Sequence, residues 1–560
     1  MKKTGFITML FLIIIMIMHS GQTAFAFDKA QIPMYIEIGL FFENSAKSTV
    51  NLKANDGFEI GKFQQNNFVR LLDFLDKKEV ILRKDTHYIG AGGSYVEYTG
   101  AINTSMNTSN LQGPYHVQVA DTFSSSNEAL SFMQSLSTGM DQPYLVYENG
   151  WKVFVGLYVH QEEAQLKGEE ISNVNSYQTK VIPPSATRVQ VLDLAGRPLF
   201  MFDSRENIYF RGFEDKGNVS LISVEGKNYR GAIGAKRLSA SDMSIVNKLL
   251  LEEYLYGVVP REMPALWSLE ALKAQAVVTR GYAVSNIGRF TNLGFDLCNT
   301  TRSQVYGGYD AEHANSNRAV NETSSKVITY NGNVISAFYH SNSGGRTENS
   351  ENVWSNPLPY IKGVKDDFSL DAPNSTWKEV FTKGQIKSLL EKNNIFVGDV
   401  TDIQATSVSE NGRILELTIY GTNGKEVLVK ERSRNLFGLK STWFTVNPIG
   451  NTIGNTTSNS NVTIQGDPEI LHATELQNQS ILSANGVTKI TNPSNIKIFD
   501  GKNYREIAFS SAVTAESFEF VGKGFGHGLG MSQYGAKKMA EEGYNYMQIL
   551  AHYYTGIKVE

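Results

Sequence analysis

Glu262 stands between Pro260 and Pro264 in the stretch LEEYLYGVVPREMPALWSLEALKAQAVVTR, residues 251–280. A carboxyl aimed from a pinned segment is what acid catalysis needs. Proline fixes its own φ and disfavours helical geometry in the residue before it, so the spacing predicts that Arg261-Glu262-Met263 is held extended at a strand-to-helix junction. Three further segments are dense in groups that could meet a ligand. Tyr339 to Glu348, YHSNSGGRTE, crowds His340, Ser341, Ser343, Arg346 and Glu348 into one turn. Polar side chains at that density demand partners when buried and can contact a ligand when exposed. From Gly522 to Gly530 every other residue is glycine, with Lys523 and His527 between, and backbone without Cβ atoms lets a ligand approach its N–H groups. Met531-Ser532-Gln533-Tyr534-Gly535 then leads into a helix expected to reach about Glu542 and stop at Gly543.

Two familiar chemistries do not fit these residues. The glycine loop lacks GxGxxG spacing, is followed by no GK[ST] and lies outside a βαβ unit, which argues against a nucleotide site. A triad of Ser343, His340 and an acid would lack the nucleophile-elbow pattern.

The elements that must position these groups are mixed. Ser268 can cap a helix running to about Gly288, with Glu270 in its first turn and Leu269, Leu272, Ala276 and Ala283 on the buried face. Met34 to Phe42 and Thr49 to Phe58 read as strands, the second with a turn at Asn55-Asp56-Gly57, and Ala101 to Gly113 reads as a polar linker. From Tyr115 the order is strand, helix Ser125 to Leu136, strand Tyr144 to Tyr147, strand Trp151 to Leu157, helix Gln161 to Lys167, strand Tyr177 to Ile182. This is βαββαβ, an α+β sandwich with one open sheet face. VQVA, the alanine-containing helix and WKVFVGLYVHQEEA resemble the sporulation-related repeat (SPOR) domain, which implies binding to peptidoglycan glycan strands lacking stem peptides. An ordinary ferredoxin-like insert has the same order of elements. Further strands are expected at Arg188 to Phe202, Ile208 to Tyr229, Ile403 to Val408, Arg413 to Tyr420 and Lys425 to Val429. A helix is expected near Lys383 to Lys392, and a surface loop at Gly450 to Ser460.

Composition bounds the function. The chain has 560 residues, 41% hydrophobic and 19% charged, with a net charge of -4. Two to four folded domains are expected, and the spread of Lys and Arg gives no basic footprint for nucleic acid. Lys2 and Lys3, the apolar run Phe6 to Met18 and Ala24-Phe25-Ala26 form an export signal over residues 1–26, and the run is short for a membrane span. The alternative is an uncleaved anchor. Cys298 is the single cysteine, so no intrachain disulfide can form and stability must come from buried cores.

Several blocks in order resemble the stage II sporulation protein D family, also called SpoIID/LytB. They are LEEYLYGVVPREMP at 251–264, ALKAQAVVTRGYA at 271–283, SQVYGG at 303–308, FYHSNSGGRTENS at 338–350 and GKGFGHGLGMSQYGAKKMAEEGY at 522–544. The resemblance implies an α+β chain divided as signal (1–26), N-terminal β-rich part (27–112), SPOR-like insertion (113–182) and SpoIID-like catalytic region with mixed sheets and helices (183–560). It implies a lytic transglycosylase acting on stem-peptide-free glycan strands, with Glu262 as the catalyst, or else a noncatalytic enhancer of a cell-wall amidase. Candidates for handling the sugar are Gln275, Arg280, His340, Ser343, His527, Gln533 and Tyr534. Met263 and Trp267 are expected to desolvate the acid. Relatives that bind zinc use cysteines and histidines before the QVYGG block; here Cys298 stands with Arg302 and Ser303, short of four ligands, so no metal or other cofactor is expected.

Overall fold

The structure, a computed structural model, describes residues 27–452 and 513–560 apart from 92–93, 103–109, 137–140, 214–218, 239–240 and 355, together with short strand pairs between 461 and 506. The export signal, the middle of the 101–113 linker and the loop beyond Thr452 lie outside the described residues. The chain forms two units, residues 1–338 with 539–560, and residues 339–538.

The first unit holds two large sheets. One has seven strands in the order Leu297–Cys298, Tyr35–Phe41, Met243–Leu250, Ala232–Arg237, Tyr209–Gly212, Phe58–Gln64, Asn67–Phe74. Tyr35–Phe41 and Met243–Leu250 pair antiparallel, Glu37 opposite Lys248. This N-terminal strand is the one expected from MYIEIGLFF. Met243–Leu250 runs directly into the helix Leu251–Glu262, followed by the helices Leu269–Ser285 and Ala314–Glu322.

The second sheet has ten strands and contains the βαββαβ segment in the expected order. Its strands run Thr179–Ile182, Tyr115–Phe123, Trp151–Tyr158, Pro143–Tyr147, and the sheet continues through Pro198–Asp203, Arg188–Leu192, Glu79–Lys84 and Thr49–Lys53. Leu145 to Tyr147 pairs in parallel with Phe200 to Phe202. The segment is thus joined edge to edge with strands from both sides of it in the sequence. The helices Ser126–Ser135 and Gln161–Asn175 cover the face of Val117, Val119 and Val155. The other face, expected to be open, is closed: His116, Tyr144, Val146 and Phe154 are buried, and Asp85 reaches His116 Nε2 at 3.0 Å. The reason is the apolar edge strand PYLVY, which leaves hydrogen-bonding groups and side chains that a neighbouring strand satisfies.

The second unit carries two three-stranded antiparallel sheets, Thr376–Thr382 with Val513–Lys523 and Phe444–Thr452, and Val400–Val408 with Ile414–Gly421 and Gly424–Val429. The helix Lys383–Lys392 is capped by Thr382 and Gln385 in a reciprocal box. Trp377, Ile386, Leu390, Leu417, Phe437 and Phe520 belong to its core. Among the described residues no helix is long and apolar enough to cross a membrane.

Candidate functional site

Glu262 is the last residue of the helix Leu251–Glu262, and Pro260 lies inside its final turn. The expected extended tripeptide is therefore helical up to Glu262, and extension begins at Met263, φ −136°, just before Pro264. Proline removes one helical hydrogen bond. Here the end of the helix is held by other means: Met263 N donates to Val259 O at 2.9 Å, and Gly307 N from a separate loop donates to Gly257 O at 3.0 Å. That loop, the 303–308 block, lies directly on the helix. A Cβ at Gly257 would come within 2.6 Å of the Tyr306 ring and 2.9 Å of Gly308 O, so glycine is what lets the two backbones meet. Tyr306 is fixed from its far end by a 2.9 Å bond to Asn247 Oδ1 and packs on Tyr254, ring centroids 5.3 Å apart.

The docked loop presents Val305 N to Glu262 Oε1 at 3.0 Å. Glu262 is partly exposed, Met263 beside it is buried and Trp267 is partly exposed. Behind it, the Tyr254 hydroxyl donates to Gln304 Oε1 at 3.2 Å. Burial first, and then the Glu262 charge, hold the Tyr254 phenol well above its ordinary value, so it stays a protonated donor. Sequence reasoning assigned no role to Val305, Gln304 or Tyr254. A backbone amide has no side-chain signature, and the SQVYGG block was the one signal of its presence.

Gln275 and Arg280, expected to handle sugar, are buried in the helix Leu269–Ser285. Gln275 Nε2 donates to Thr279 Oγ1 at 3.1 Å. Arg280 makes a two-pronged pair with Glu252, 2.9 and 2.7 Å, and donates to Lys326 O at 2.9 Å. Arg280 thereby ties its helix to the Glu262 helix, which is a positioning role. The cap of this helix also differs from expectation: Ser268 contributes its carbonyl, which accepts from Leu272 N at 3.1 Å, and no side-chain bond.

His340, Ser343, His527, Gln533 and Tyr534 belong to the second unit. The YHSNSGG turn and the glycine loop lace together through paired bonds between Asn342 and Phe525, 3.0 and 2.7 Å. The alternating glycines serve this contact. A Cβ at Gly524 would meet Asn342 O at 2.7 Å, and one at Gly528 would meet Arg413 Cζ at 2.4 Å, so the close approach expected of a ligand is made by the protein itself. Ser343 Oγ bonds Asp366 and Ser369, each at 2.7 Å, inside a buried network. It has no bond to His340 among the described residues, and no triad forms. His340 is buried with Nδ1 3.1 Å from Leu529 O, while its Nε2 has no partner among the described residues. His527 Nδ1 accepts from Leu529 N at 3.0 Å. Burial, then the charges of Arg434 and Arg413, push His527 down to about 3, against a bond to the Tyr339 backbone. Burial also holds His340 well below its usual value, with His527 and Arg413 adding. Although part of the His527 ring reaches solvent, both imidazoles are neutral at neutral pH. Gln533 and Tyr534 are partly exposed at the start of the helix Gln533–Glu541.

Cys298 is buried with Phe42, Val246, Phe290 and Phe295, its Sγ 3.2 Å from Thr300 Oγ1. Among the described residues no three His, Cys, Asp or Glu side chains gather as a metal site.

Fold and site define an α+β chain whose candidate acid is held at a helix end by a neighbouring loop's backbone. The Stage II sporulation protein family, SpoIID, matches residues 239–330, which contain the Glu262 helix and the loop docked on it. A domain of unknown function, DUF8618, matches residues 371–467. The chain is 34% identical over 349 residues to a Bacillus subtilis protein named amidase enhancer, a match spanning 61% of this chain and 45% of that relative's length. It is 28% identical over 357 residues to stage II sporulation protein D of Bacillus subtilis, 58% of this chain and 81% of the relative. The Bacillus amyloliquefaciens protein of the same name is 28% identical over 329 residues, 56% of this chain and 75% of the relative.

Proposed function

We propose that this protein is an exported lytic transglycosylase of the bacterial cell wall, with Glu262 acting as general acid and then as general base. The observation that carries the reading is the setting of Glu262, a partly exposed residue at a helix end with its carboxyl Oε1 bonded by the Val305 amide. The Val305 amide holds the carboxyl in place at Oε1. When protonated, Glu262 donates to the glycosidic oxygen between N-acetylmuramic acid and N-acetylglucosamine as the bond to the anomeric carbon breaks. The carboxylate then accepts the proton of the muramyl C6 hydroxyl while O6 bonds to that carbon. The product is a 1,6-anhydro sugar. One carboxyl suffices because the attacking oxygen belongs to the substrate; hydrolysis by paired acids places a second carboxylate across the bond. Gln275, Arg280, His340 and Ser343, expected to handle the sugar, are engaged inside their own units.

The names of the relatives support a role at the cell wall and favour a second reading. In it the protein binds the wall and stimulates an N-acetylmuramoyl-L-alanine amidase without cutting glycan. Digestion of stem-peptide-free glycan strands by the purified chain, with mass detection of products, separates the two. The lytic reading expects anhydromuramyl ends with the native chain and none with Glu262→Gln. Their absence from the native digest, or their persistence in the variant, overturns it, and amidase stimulation that survives Glu262→Gln supports the second reading.

A further inference from the structure

On the seven-stranded sheet of the first unit, a cavity of about 510 Å³ is lined by Glu37, Phe63, Tyr209, Lys236, Arg237 and Lys248, with Arg205 at its rim. Five adjacent strands supply the first six of these residues. None of them takes part in the chemistry assigned to Glu262.

The charges in this cavity do not balance. Lys248 is paired with Glu37 at 2.9 Å, and Arg205 with Asp203. Lys236, buried to within 8% of full exclusion from solvent, donates to the Tyr209 hydroxyl at 3.0 Å and to Asn207 Oδ1, both neutral acceptors. Arg237 donates to the carbonyls of Ser185 and Arg188, 2.6 and 3.0 Å. Among the described residues neither makes an ion pair. Of the carboxylates near them, Glu37 accepts from both Lys248 and Tyr209 on Oε1, Asp296 accepts from the Glu37 amide, and Asp85, Glu97 and Asp242, which lie near Arg237, are paired with Arg188 and Lys84. A buried cation with neutral partners is costly unless an anion meets it. Burial pushes the Lys236 ammonium below its ordinary value, Glu37 opposing and Lys248 adding.

The cavity is far larger than an inorganic anion needs and lies in the range of small-molecule sites, roughly 300–1,000 Å³. Phe63 gives it an aromatic wall, braced edge-on by Tyr35 and Tyr209 with centroids 5.0 and 5.3 Å away. Aromatic faces pack against the apolar faces of sugar rings.

We propose that this cavity binds a carboxylate-bearing sugar, its carboxylate at Lys236 and its ring against Phe63. The sugar's identity as a muramyl residue, whose lactyl group carries a carboxylate once the stem peptide is gone, rests on the proposed function. The site then holds glycan at a point separate from Glu262.

The test is calorimetric titration of the full chain with N-acetylmuramic acid, N-acetylglucosamine, lactate and inorganic phosphate. N-acetylmuramic acid is expected to bind at least about tenfold more tightly than either N-acetylglucosamine, which lacks the carboxylate, or lactate, which lacks the ring; a tenfold ratio corresponds to about 1.4 kcal/mol. Lys236→Met is expected to abolish that preference and Glu262→Gln to leave it intact. Equal binding of the two sugars, or an unchanged preference in Lys236→Met, overturns the proposal, and phosphate binding as tightly as N-acetylmuramic acid reduces the cavity to a plain anion hole and also overturns it. Where Lys236→Met does not fold, Phe63→Leu must weaken N-acetylmuramic acid and leave lactate unaffected, or the proposal falls. Muramic acid binding without glycan cleavage would sink the lytic reading alone, and cleavage without binding would sink this one alone.

Discussion

Val305 contributes to the candidate site through its backbone alone, so the consequence of losing that contribution can be isolated. Val305→Pro deletes the N–H that meets Glu262 Oε1 at 3.0 Å. A hydrogen bond to a charged group contributes about 1.5–3 kcal/mol, so on the proposed lytic reading glycan cleavage is expected to fall by about ten- to a hundredfold. Val305→Ala keeps the amide and is expected to stay within about twofold. Equal rates for the two variants in the same product assay would remove the amide from the mechanism. Glu262 stands out in the sequence because prolines punctuate its segment and several blocks share a family pattern. Arg280 was not legible as a structural group. Its partner Glu252 is 28 positions away, and a sequence shows a charge without showing the charge that meets it. The same holds for Ser343, expected to contact sugar, whose Oγ bonds Asp366, 23 positions away.

At the scale of elements, loops were harder to read than helices and strands because backbone contacts leave weak traces. The helix Leu269–Ser285 and the βαββαβ order follow from periodicity, yet Pro260 lies within a helix, whose last turn is bonded by the Gly307 and Met263 N–H groups. Gly257→Ala tests that docking. The new methyl would meet the Tyr306 ring at 2.6 Å, and overpacking of this kind costs about 1–3 kcal/mol. Lower thermal stability and lost cleavage are expected together; cleavage at the native rate would show that the loop does not set Glu262. In the second unit Gly528→Ala places a methyl 2.4 Å from the Arg413 guanidinium, and loss of that unit's cooperative unfolding is expected. His527 adds a pH dependence. Unfolded, its imidazole takes a proton near pH 6.5, whereas folded it does so only at about 3. The unfolded state binds more protons between these values, so stability is full above about pH 6.5 and declines as pH falls towards 3. Denaturant unfolding at pH 7.5 and 5 should show a lower midpoint in acid, and His527→Gln should narrow the difference.

For the molecule as a whole, the continuous ten-stranded sheet decides whether residues 113–182 are a module or a part. Their order of elements was readable; their closed face was not, because it is sealed by residues far away in the sequence. Asp85 shows how strongly. It lies 3.0 Å from His116 Nε2, 2.8 Å from Gln190 Nε2 and 3.2 Å from Arg188 Nη1. Burial works against its charge, and His116, Arg188 and Gln190 outweigh burial, holding its carboxyl below the ordinary value. A depressed carboxyl contributes stability above its unfolded value, about pH 3.9, and loses it as pH falls through the lower folded value. Asp85→Asn leaves buried cations without their carboxylate, a loss of about 3–5 kcal/mol at neutral pH, and should flatten the acid limb of the stability curve below about pH 4. Cutting out residues 113–182 goes further, because it removes Asp85 from His116, strips the strand Pro143–Tyr147 of its partner Pro198–Asp203 and exposes Tyr144, Val146 and Phe154. An excised segment is expected to aggregate or to give a collapsed amide spectrum, since an unpaired apolar edge invites association. A soluble monomer with dispersed amide resonances would instead mean that the segment folds by itself, and that its sheet is open to a glycan after all.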